Sequence, residues 1–197
     1  ALRRVGVVGV RSAAVLGTGT IGMLIAQWLR ILGVADIYLI GTNEKQRELA
    51  ERLGFEHFYN TRECDAVQQI LKATGGNGTD LVIECTGFNE VLVECLNLAK
   101  RGGKVLLVGN PHGDMNLGRD IYWKILRKQL QLSGTWNSSF IPEEDEDDWT
   151  RTLDAMQHGL LQPEKQITHR LKFEELAHGL QIMKDKSEYF NKVMMVR

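Results

Sequence analysis

A glycine-rich turn between an apolar segment and a helical segment constrains this chain more than any other feature. The apolar segment, Ser12–Leu16, has the length and composition of a buried strand. Residues 23–32 contain neither Pro nor Gly, and their polar positions Gln27 and Arg30 are three apart, as one helix face requires. Strand, glycine turn and helix in this order are typical of a phosphate-binding unit.

The glycines of the turn have separate roles in such a unit. Gly17 allows the tight turn, Gly19 lets the backbone approach a pyrophosphate, and Gly22 lets helix and strand pack closely. The free N–H groups and the positive end of the helix then face the anion. We therefore predict dinucleotide binding, with the pyrophosphate held by Gly17, Gly19, Thr20, Ile21 and Gly22.

Strand and helix patterns alternate through the next hundred residues. Further strands are predicted at 35–40, 55–59, 81–87, 104–109 and 130–134. Helices are predicted between them at 44–53, 64–73, 89–99 and 121–128. Because parallel neighbours need long right-handed crossovers, we predict an α/β fold, a doubly wound parallel six-stranded Rossmann sheet. The expected strand order is 3-2-1-4-5-6, with the ligand across the switch point between strands 1 and 4.

The chain is expected to divide into three parts. Residues 1–140 form the dinucleotide-binding domain, 141–165 an acidic loop and helix that complete or flank it, and 166–197 a separate C-terminal segment. The acidic run 143–148 is predicted to be a solvated loop that ends at a helix start, because acids suit the positive end of a helix. It lacks the alternation with glycine of a calcium loop.

Charge and cysteine usage exclude several classes of protein. The 197 residues carry a net charge of -1, which gives no reason to expect nucleic acid or an anionic membrane as partner. No apolar run approaches the roughly 18 residues of a spanning helix. Cys64, Cys85 and Cys95 form no CxxC pair, which argues against a structural zinc or a disulfide framework. We expect no metal site in this chain and a cytoplasmic location.

The end of the second strand bears on the choice of dinucleotide. NAD-preferring folds place Asp or Glu about 20 residues beyond the glycines, where it accepts hydrogen bonds from the ribose. Gly41 occupies that place, 19 residues after Gly22, and Thr42 and Asn43 follow. A glycine there is expected to leave room, and its neutral neighbours offer hydrogen bonds.

Charged residues just beyond this glycine leave the choice open. Lys45 and Arg47 would add positive charge if they face inward, although helix residues of this kind are usually solvated. In a slightly shifted turn, Glu44 would serve the ribose instead. The sequence therefore allows either NAD or NADP.

Longer segments resemble the medium-chain dehydrogenase/reductase superfamily, in its zinc-dependent polyol dehydrogenase branch. The superfamily resemblance lies in AAVLGTGTIGMLIAQ, TGGNGTDLVIECTG and GGKVLLVG. KILRKQLQLSGTWNSSF and ITHRLKFEELAHGLQIMKDKSEYFNKVMMV are similar first to galactitol-1-phosphate 5-dehydrogenases and next to sorbitol (L-iditol) dehydrogenases. Only the opening ALRRVGV carries no motif.

The resemblance implies a further domain. Members of this family carry an N-terminal GroES-like catalytic domain with a catalytic zinc and a four-cysteine zinc loop, and none of those motifs is in this sequence. The chain, which starts at Ala1, would then be the cofactor half of the enzyme, with 166–197 as the segment that rejoins the catalytic domain. Alone it would be inactive, and the family's dimers or tetramers imply a homodimer or homotetramer.

The resemblance also assigns roles. In the full enzyme, zinc would lower the pKa of a polyol or polyol phosphate, and hydride would pass to the nicotinamide. No catalytic residue is expected in this chain. The adenosine ribose would meet Gly41, Thr42 and Asn43; the cleft and the nicotinamide would meet Thr86, Gly87, Val108, Gly109, Asn110, Thr135 and Asn137; and the substrate would meet Asn137 and Ser138.

Several alternatives remain at this stage. Glu84, inside an apolar strand, is expected to form structural or cleft hydrogen bonds, with a catalytic acid as the alternative. His112 could serve a substrate, and Trp136 could be a packing residue. The competing functions are a zinc-independent quinone or enoyl reductase of the same superfamily and a non-enzymatic nucleotide-sensing module.

Overall fold

A computed structural model describes residues 1–140 and 147–197. Its main feature is a parallel sheet of six strands flanked by helices on both faces. In chain order the elements are α1 Leu2–Val5, β1 Ser12–Leu16, α2 Thr20–Ile31, β2 Asp36–Gly41, α3 Glu44–Arg52, β3 His57–Asn60, α4 Ala66–Ala73, β4 Thr79–Glu84, α5 Asn89–Leu98, β5 Ala99–Leu107, α6 Arg119–Lys128, β6 Gln131–Gly134, α7 Asp148–Gln157, β7 Ile167–Leu171, α8 Leu176–Asp185 and β8 Lys192–Met195.

The strand order β3-β2-β1-β4-β5-β6 confirms the predicted doubly wound topology. All five strand pairs are parallel. Successive residues of β1 point to opposite faces of the sheet: Ala13 and Val15 pack with α2 and α3, whereas Ala14 and Leu16 pack with α4 and α5. Because both faces are covered, the central strands are continuous apolar runs rather than alternating ones.

Two strand boundaries differ from the prediction for a backbone reason. The fourth strand ends at Glu84 and not at residue 87, since Gly87 has φ +80, outside the β region. The fifth strand begins at Ala99 and not at residue 104. Thr79 pairs with Ala99 while Leu81 pairs with Lys104, so β5 carries a bulge that sequence periodicity does not reveal.

Asp80 lies at the edge of the sheet where the strands begin and connects β4 to the start of β1. Its Oδ2 accepts from the Arg11 N–H at 3.1 Å and from the N–H and hydroxyl of Ser12, each at 2.9 Å, and the Lys100 ammonium pairs with Oδ1. Burial by itself raises the pKa of this carboxyl, but these hydrogen bonds outweigh it and lower the pKa to about 2. The ionised carboxylate therefore fastens the starts of β1 and β4 together.

The C-terminal residues form a second, smaller β unit. Strands β7 and β8 pair in parallel as a separate two-stranded sheet, with α8 between them in the chain. A 3-10 turn, Phe173–Glu175, leads into α8, which is α-helical from Leu176. The division into 1–140, 141–165 and 166–197 stays a prediction.

The N-terminal helix α1 contacts the start of α7. Asp147 caps this helix by accepting from the Thr150 N–H at 2.7 Å, and Asp148 pairs with Arg3 of α1 at 3.0 Å. The helix start predicted at the end of the acidic run is confirmed, while residues 143–146 of that run lie outside the described residues. The sequence pattern did not predict α1, whose Leu2 and Val5 are buried in the core.

Candidate functional site

The predicted site residues lie along one edge of the sheet, at the carboxyl ends of the strands. Backbone hydrogen bonds join the loops there: the Gly17 N–H donates to Ile40 O at 3.0 Å, and the Thr135 N–H donates to Leu107 O at 3.1 Å. In open α/β sheets this edge holds the ligand, next to the point where the strand order reverses. Here the reversal lies between β1 and β4.

The glycines of the turn between β1 and α2 differ in what surrounds them. Gly17 has φ +98, and a Cβ on Gly22 would lie 1.9 Å from Gly17 O, so the chain itself requires both glycines. A Cβ on Gly19 would meet nothing within 4 Å. The structure therefore leaves open space beside the backbone at Gly19, directly at the start of α2.

Thr20 links this turn to the C-terminal unit. Its hydroxyl lies 2.9 Å from the backbone oxygen of Asn191 and 2.8 Å from the Oδ1 of the same residue. The Asn191 N–H in turn donates to Thr168 Oγ1 at 3.1 Å. Sequence reasoning missed Asn191, because no local pattern links residues 171 positions apart.

The space expected beside Gly41 is absent. A Cβ on Gly41 would lie 2.4 Å from Thr18 Oγ1 and 2.6 Å from both Gln46 Oε1 and Phe58 Cζ. The expectation that this glycine leaves room for a ligand is therefore wrong, since Gln46 of α3 folds back over it. The Thr42 N–H donates to Gln46 Oε1 at 2.8 Å and keeps the side chain there.

Charged residues near this turn are largely paired with neighbours. Arg47 pairs with Glu63 and lies over the Phe58 ring, 5.8 Å from its centroid. Lys45 pairs with Glu48 at 3.1 Å. Both basic side chains that would add positive charge if they faced inward are therefore paired with carboxylates.

Asn43 and Glu44 also take structural positions at the start of α3. Asn43 Oδ1 accepts from the Gln46 N–H at 3.0 Å as the helix cap, so only the amide nitrogen of its side chain remains for a ligand. Glu44 is the first helical residue and lies 3.5 Å from Arg47 Nε. Asn43 and Glu44 therefore bring no positive charge to the place where a ribose would bind.

Glu84 forms the turn that follows β4. The side chain is 2% exposed, and its Oε1 accepts from the Thr86 N–H at 2.6 Å, the Thr86 hydroxyl at 2.5 Å and the Gly87 N–H at 2.9 Å. This confirms the predicted structural role, because three donors converge on one carboxylate oxygen. Glu84 thereby fixes the loop that carries Thr86 and Gly87.

The loops after β4 and β5 pack directly on each other. A Cβ on Gly87 would lie 1.8 Å from Asn110 O, and the His112 N–H donates to Gly87 O at 3.1 Å. The His112 ring stacks on Phe88, with centroids 4.4 Å apart and an interplanar angle of 11°. Gly87 and Asn110 are thus in direct contact, while their roles towards a cofactor and a substrate role for His112 stay predictions.

A cavity of about 290 Å³ lies at the other end of this edge. Its wall combines residues predicted to meet a nicotinamide, among them Val108, Thr135 and Asn137, with Ile21 of α2 and with α1 and α7. Trp136 also lines it and is 78% exposed in the described chain, and its role stays a prediction.

Ser138, predicted to meet the substrate, lies on the same cavity wall as Asn137. The indole N–H of Trp149 donates to Ser138 Oγ at 3.2 Å, so α7 orients this hydroxyl. The hydroxyl still has a proton to donate. The two predicted substrate residues are therefore adjacent on a wall that also carries Thr135.

Within residues 1–140 and 147–197, no three His, Cys, Asp or Glu side chains come together in a way that could hold a metal ion. We therefore assign no step to a zinc on these residues. Burial raises the pKa of the thiols of Cys85 and Cys95, which agrees with core positions rather than with nucleophiles. Among the described helices, none is long and apolar enough to cross a membrane.

The residues at this edge fit a dinucleotide. The turn at residues 17–22 offers backbone N–H groups at the start of α2, and the open space at Gly19 admits a phosphate close to the backbone. The apolar cavity at Val108 and Thr135 suits a planar ring. Fold and site together are those of a Rossmann NAD(P)-binding domain.

Comparison with known families makes the assignment narrower. The family described as zinc-binding dehydrogenase matches residues 20–158, and the chain belongs to this family. The match begins inside the glycine turn and runs through β6 and α7. The family is part of the medium-chain dehydrogenase/reductase superfamily, so the resemblance predicted from the sequence is confirmed.

Individual relatives are similar at a modest level. L-threonine 3-dehydrogenase of Bacillus licheniformis is 27% identical over 171 residues, which are 87% of this chain and 47% of that protein. The crystal structure of galactitol-1-phosphate dehydrogenase from Escherichia coli has a TM-score of 0.80 and 25% identity, covering 91% of this chain and 52% of that one. A zinc-binding dehydrogenase of Sinorhizobium meliloti 1021 bound to NADP has a TM-score of 0.77 and 26% identity, covering 95% and 52%. The chain thus spans about half the length of the relatives it matches.

Proposed function

We propose that this chain is the cofactor-binding half of a zinc-type, NAD(P)-dependent alcohol or polyol dehydrogenase. The enzyme would transfer hydride between the nicotinamide and a polyol or polyol phosphate, such as galactitol 1-phosphate or a sorbitol-like substrate. The observation that carries the proposal is the glycine turn. The chain packs tightly around Gly17 and Gly22 but leaves open space beside Gly19. Similarity to the galactitol-1-phosphate dehydrogenase structure supports the substrate class.

The residues of the turn would hold the pyrophosphate through backbone N–H groups at the start of α2. Thr20 would contribute its backbone N–H and not its hydroxyl, because the hydroxyl already donates to Asn191. When bound, the cofactor supplies a nicotinamide carbon that accepts or gives up hydride. The proposed nucleotide contacts are Gly17, Gly19, Thr20, Ile21, Gly22, Gly41, Thr42, Asn43, Thr86, Gly87, Val108, Gly109, Asn110, Thr135 and Asn137.

On the nicotinamide side, the chain would position the ring and exclude water. Ile21, 58% exposed, and Val108 present apolar surface in the same cavity. Backbone groups at residues 108–110 would fix the carboxamide and so the ring face that reacts. Asn137 and Ser138 would hydrogen-bond the hydroxyl groups of the substrate from the same wall.

We propose the division 1–140, 141–165 and 166–197 for the chain, with the last part belonging to the GroES-like catalytic domain. The separate sheet of β7 and β8 supports this division. The zinc would be held by that domain, since the described residues offer no ligand set. A homodimer or homotetramer is proposed from the family resemblance, and a cytoplasmic location from three free cysteines.

Titration of the 197-residue chain with NADH and NADPH tests the proposal. At least one nucleotide should bind, and Gly19→Ala should weaken binding about tenfold or more, because a methyl group displaces the phosphate from the N–H groups. Gly113→Ala, at another glycine with nothing within 4 Å, is the matched control. Failure of both nucleotides to bind the unchanged chain would refute the proposal.

The substrate class needs a separate assay on the full-length enzyme. Galactitol 1-phosphate and sorbitol are offered as substrates with the preferred nucleotide, and production of the reduced cofactor is followed by absorbance. Oxidation of either supports the polyol class. Oxidation of sorbitol but not of galactitol 1-phosphate would contradict the narrower assignment, while reduction of a quinone without zinc would overturn the class.

A further inference from the structure

We propose that this chain selects NADP over NAD, and that Gln46, Arg62 and Lys186 bind the 2′-phosphate of its adenosine. The inference rests on the proposed function and specifies which nucleotide occupies that site. It concerns the cleft between the start of α3 and residues 186–190, which adjoins the turn at Gly41.

The first step is the exclusion of a carboxylate at the end of β2. An acidic side chain on residue 41 would begin with a Cβ 2.4 Å from Thr18 Oγ1 and 2.6 Å from the Phe58 ring. The side chains of Thr18 and Gln46 and the Phe58 ring would have to move to admit it. The carboxylate that would accept hydrogen bonds from the ribose hydroxyls of NAD and repel a 2′-phosphate is therefore absent. The packing around Gly41 disfavours any side chain at this position.

The second step is the chemistry of the group that replaces it. Gln46 Oε1 lies 2.6 Å from the position of a Cβ on Gly41 and accepts from the Thr42 N–H. This hydrogen bond turns the oxygen towards the backbone, and the donors that the side chain offers are its two Nε2 protons. A donor without charge suits phosphate oxygens, which are acceptors, and it does not repel them.

The third step is the charge of the cleft. Arg62 and Lys186 are exposed there, and neither pairs with a carboxylate within the described residues. The acids of the cleft have partners of their own: Glu44 lies 3.5 Å from Arg47 Nε, and Glu188 lies 3.5 Å from the His169 ring nitrogen Nε2.

The remaining cation of the cleft, Lys45, pairs with Glu48, so Arg62 and Lys186 supply the unpaired positive charge. They come from opposite sides: Arg62 follows β3, while Lys186 follows α8. The cleft, about 650 Å³, is large enough for a phosphate between them. Paired cations from two directions are suited to a doubly charged phosphate.

Binding measurements on the 197-residue chain test this assignment. Tryptophan fluorescence is titrated with NADPH and NADH, and adenosine 2′,5′-bisphosphate and AMP are used as competitors to isolate the 2′-phosphate. NADPH should bind about tenfold or more tightly than NADH. Arg62→Ala and Lys186→Ala should each remove most of that preference and leave NADH affinity within about twofold.

Two further variants sharpen the test. Gln46→Glu keeps an oxygen for the Thr42 N–H but replaces the amide donors with a second carboxylate oxygen, so it should invert the preference toward NADH. Arg101→Ala removes an exposed arginine from the opposite edge of the sheet and should change neither affinity. Thermal unfolding of each variant separates loss of binding from loss of fold.

The outcomes distinguish this inference from the proposed function. If neither nucleotide binds, the proposed function and this inference are both refuted. If NADH binds as tightly as NADPH or more tightly, the inference is overturned while the proposed function stands. If NADPH is preferred but the preference survives Arg62→Ala, Lys186→Ala and Gln46→Glu, the assignment of these residues is wrong.

Discussion

The hydroxyl of Thr20 lies 2.8 Å from the side-chain oxygen of Asn191, joining the glycine turn to the C-terminal unit. This contact connects the start of α2, where a pyrophosphate would bind, with residues just before β8. A second hydrogen bond also ends on α2: the Gln162 N–H donates to Gln27 Oε1 at 2.8 Å. Residues 162 and 191 are thus attached to α2 by polar contacts.

Removal of the Asn191 side chain should loosen this attachment. We expect Asn191→Ala to lower the free energy of unfolding by about 1 kcal/mol, since Thr20 loses one of its two acceptors. Urea denaturation measures the change. Asn116→Ala, at an exposed position whose side chain has no hydrogen bond within the described residues, should be neutral. Equal stability of the two variants would show that the contact contributes nothing.

Gly22→Ala should destabilise the fold, whereas Gly19→Ala should not. A Cβ at residue 22 would meet Gly17 O at 1.9 Å, which is backbone and cannot rotate away, so we expect a loss of about 3 kcal/mol. Gly19 has an extended backbone and open space, so its alanine variant should unfold within about 0.5 kcal/mol of the unchanged chain. Thermal unfolding compares them, and the reverse order would contradict the packing at the turn.

Substitution of Glu84 should show how the three donors depend on its carboxylate. In Glu84→Ala, the N–H groups of Thr86 and Gly87 lose their acceptor in a buried turn, and we expect a loss of about 3 kcal/mol. Glu84→Gln keeps one acceptor oxygen and should lose less than half as much. Chemical denaturation gives both values. Similar losses for the two variants would mean that the charge, not the acceptor, stabilises the turn.

The stability that Asp80 provides should depend on pH. Its folded pKa of about 2 lies below the ordinary aspartate value of 3.8, so its contribution is complete above about pH 5 and is lost as the pH falls from 4 towards 2. At pH 7, Asp80→Asn should unfold about 2 kcal/mol more easily than the unchanged chain. The difference between them should shrink at pH 3.

Asp114→Asn, at an exposed residue without an ion pair in the described chain, serves as the control for the Asp80 experiment. It removes the same charge from the surface without breaking contacts at the sheet edge. Its effect on the free energy of unfolding should stay within about 0.5 kcal/mol at both pH values. A difference for Asp80→Asn that stays constant between pH 7 and pH 3 would contradict the lowered pKa.

Much of the sheet follows from local sequence. Apolar runs such as Ser12–Leu16 and the glycines between strand and helix predict both the elements and their parallel order, because a strand covered on both faces must be apolar throughout. The start of β5 was not predictable in this way, since its bulge depends on pairing with Thr79. Helix α1 was missed for the same reason: Leu2 and Val5 are buried only by elements distant in sequence.

The candidate site shows the same division. The sequence by itself determined the glycine turn, the fold and the family, because these depend on backbone freedom and apolar periodicity within short segments. Only the tertiary structure decided that Gln46 fills the space at Gly41, that Arg62 and Lys186 share a cleft, and that Asn191 contacts Thr20. Those contacts join residues from separate crossovers, and side-chain packing between distant segments has no period that a single sequence can display.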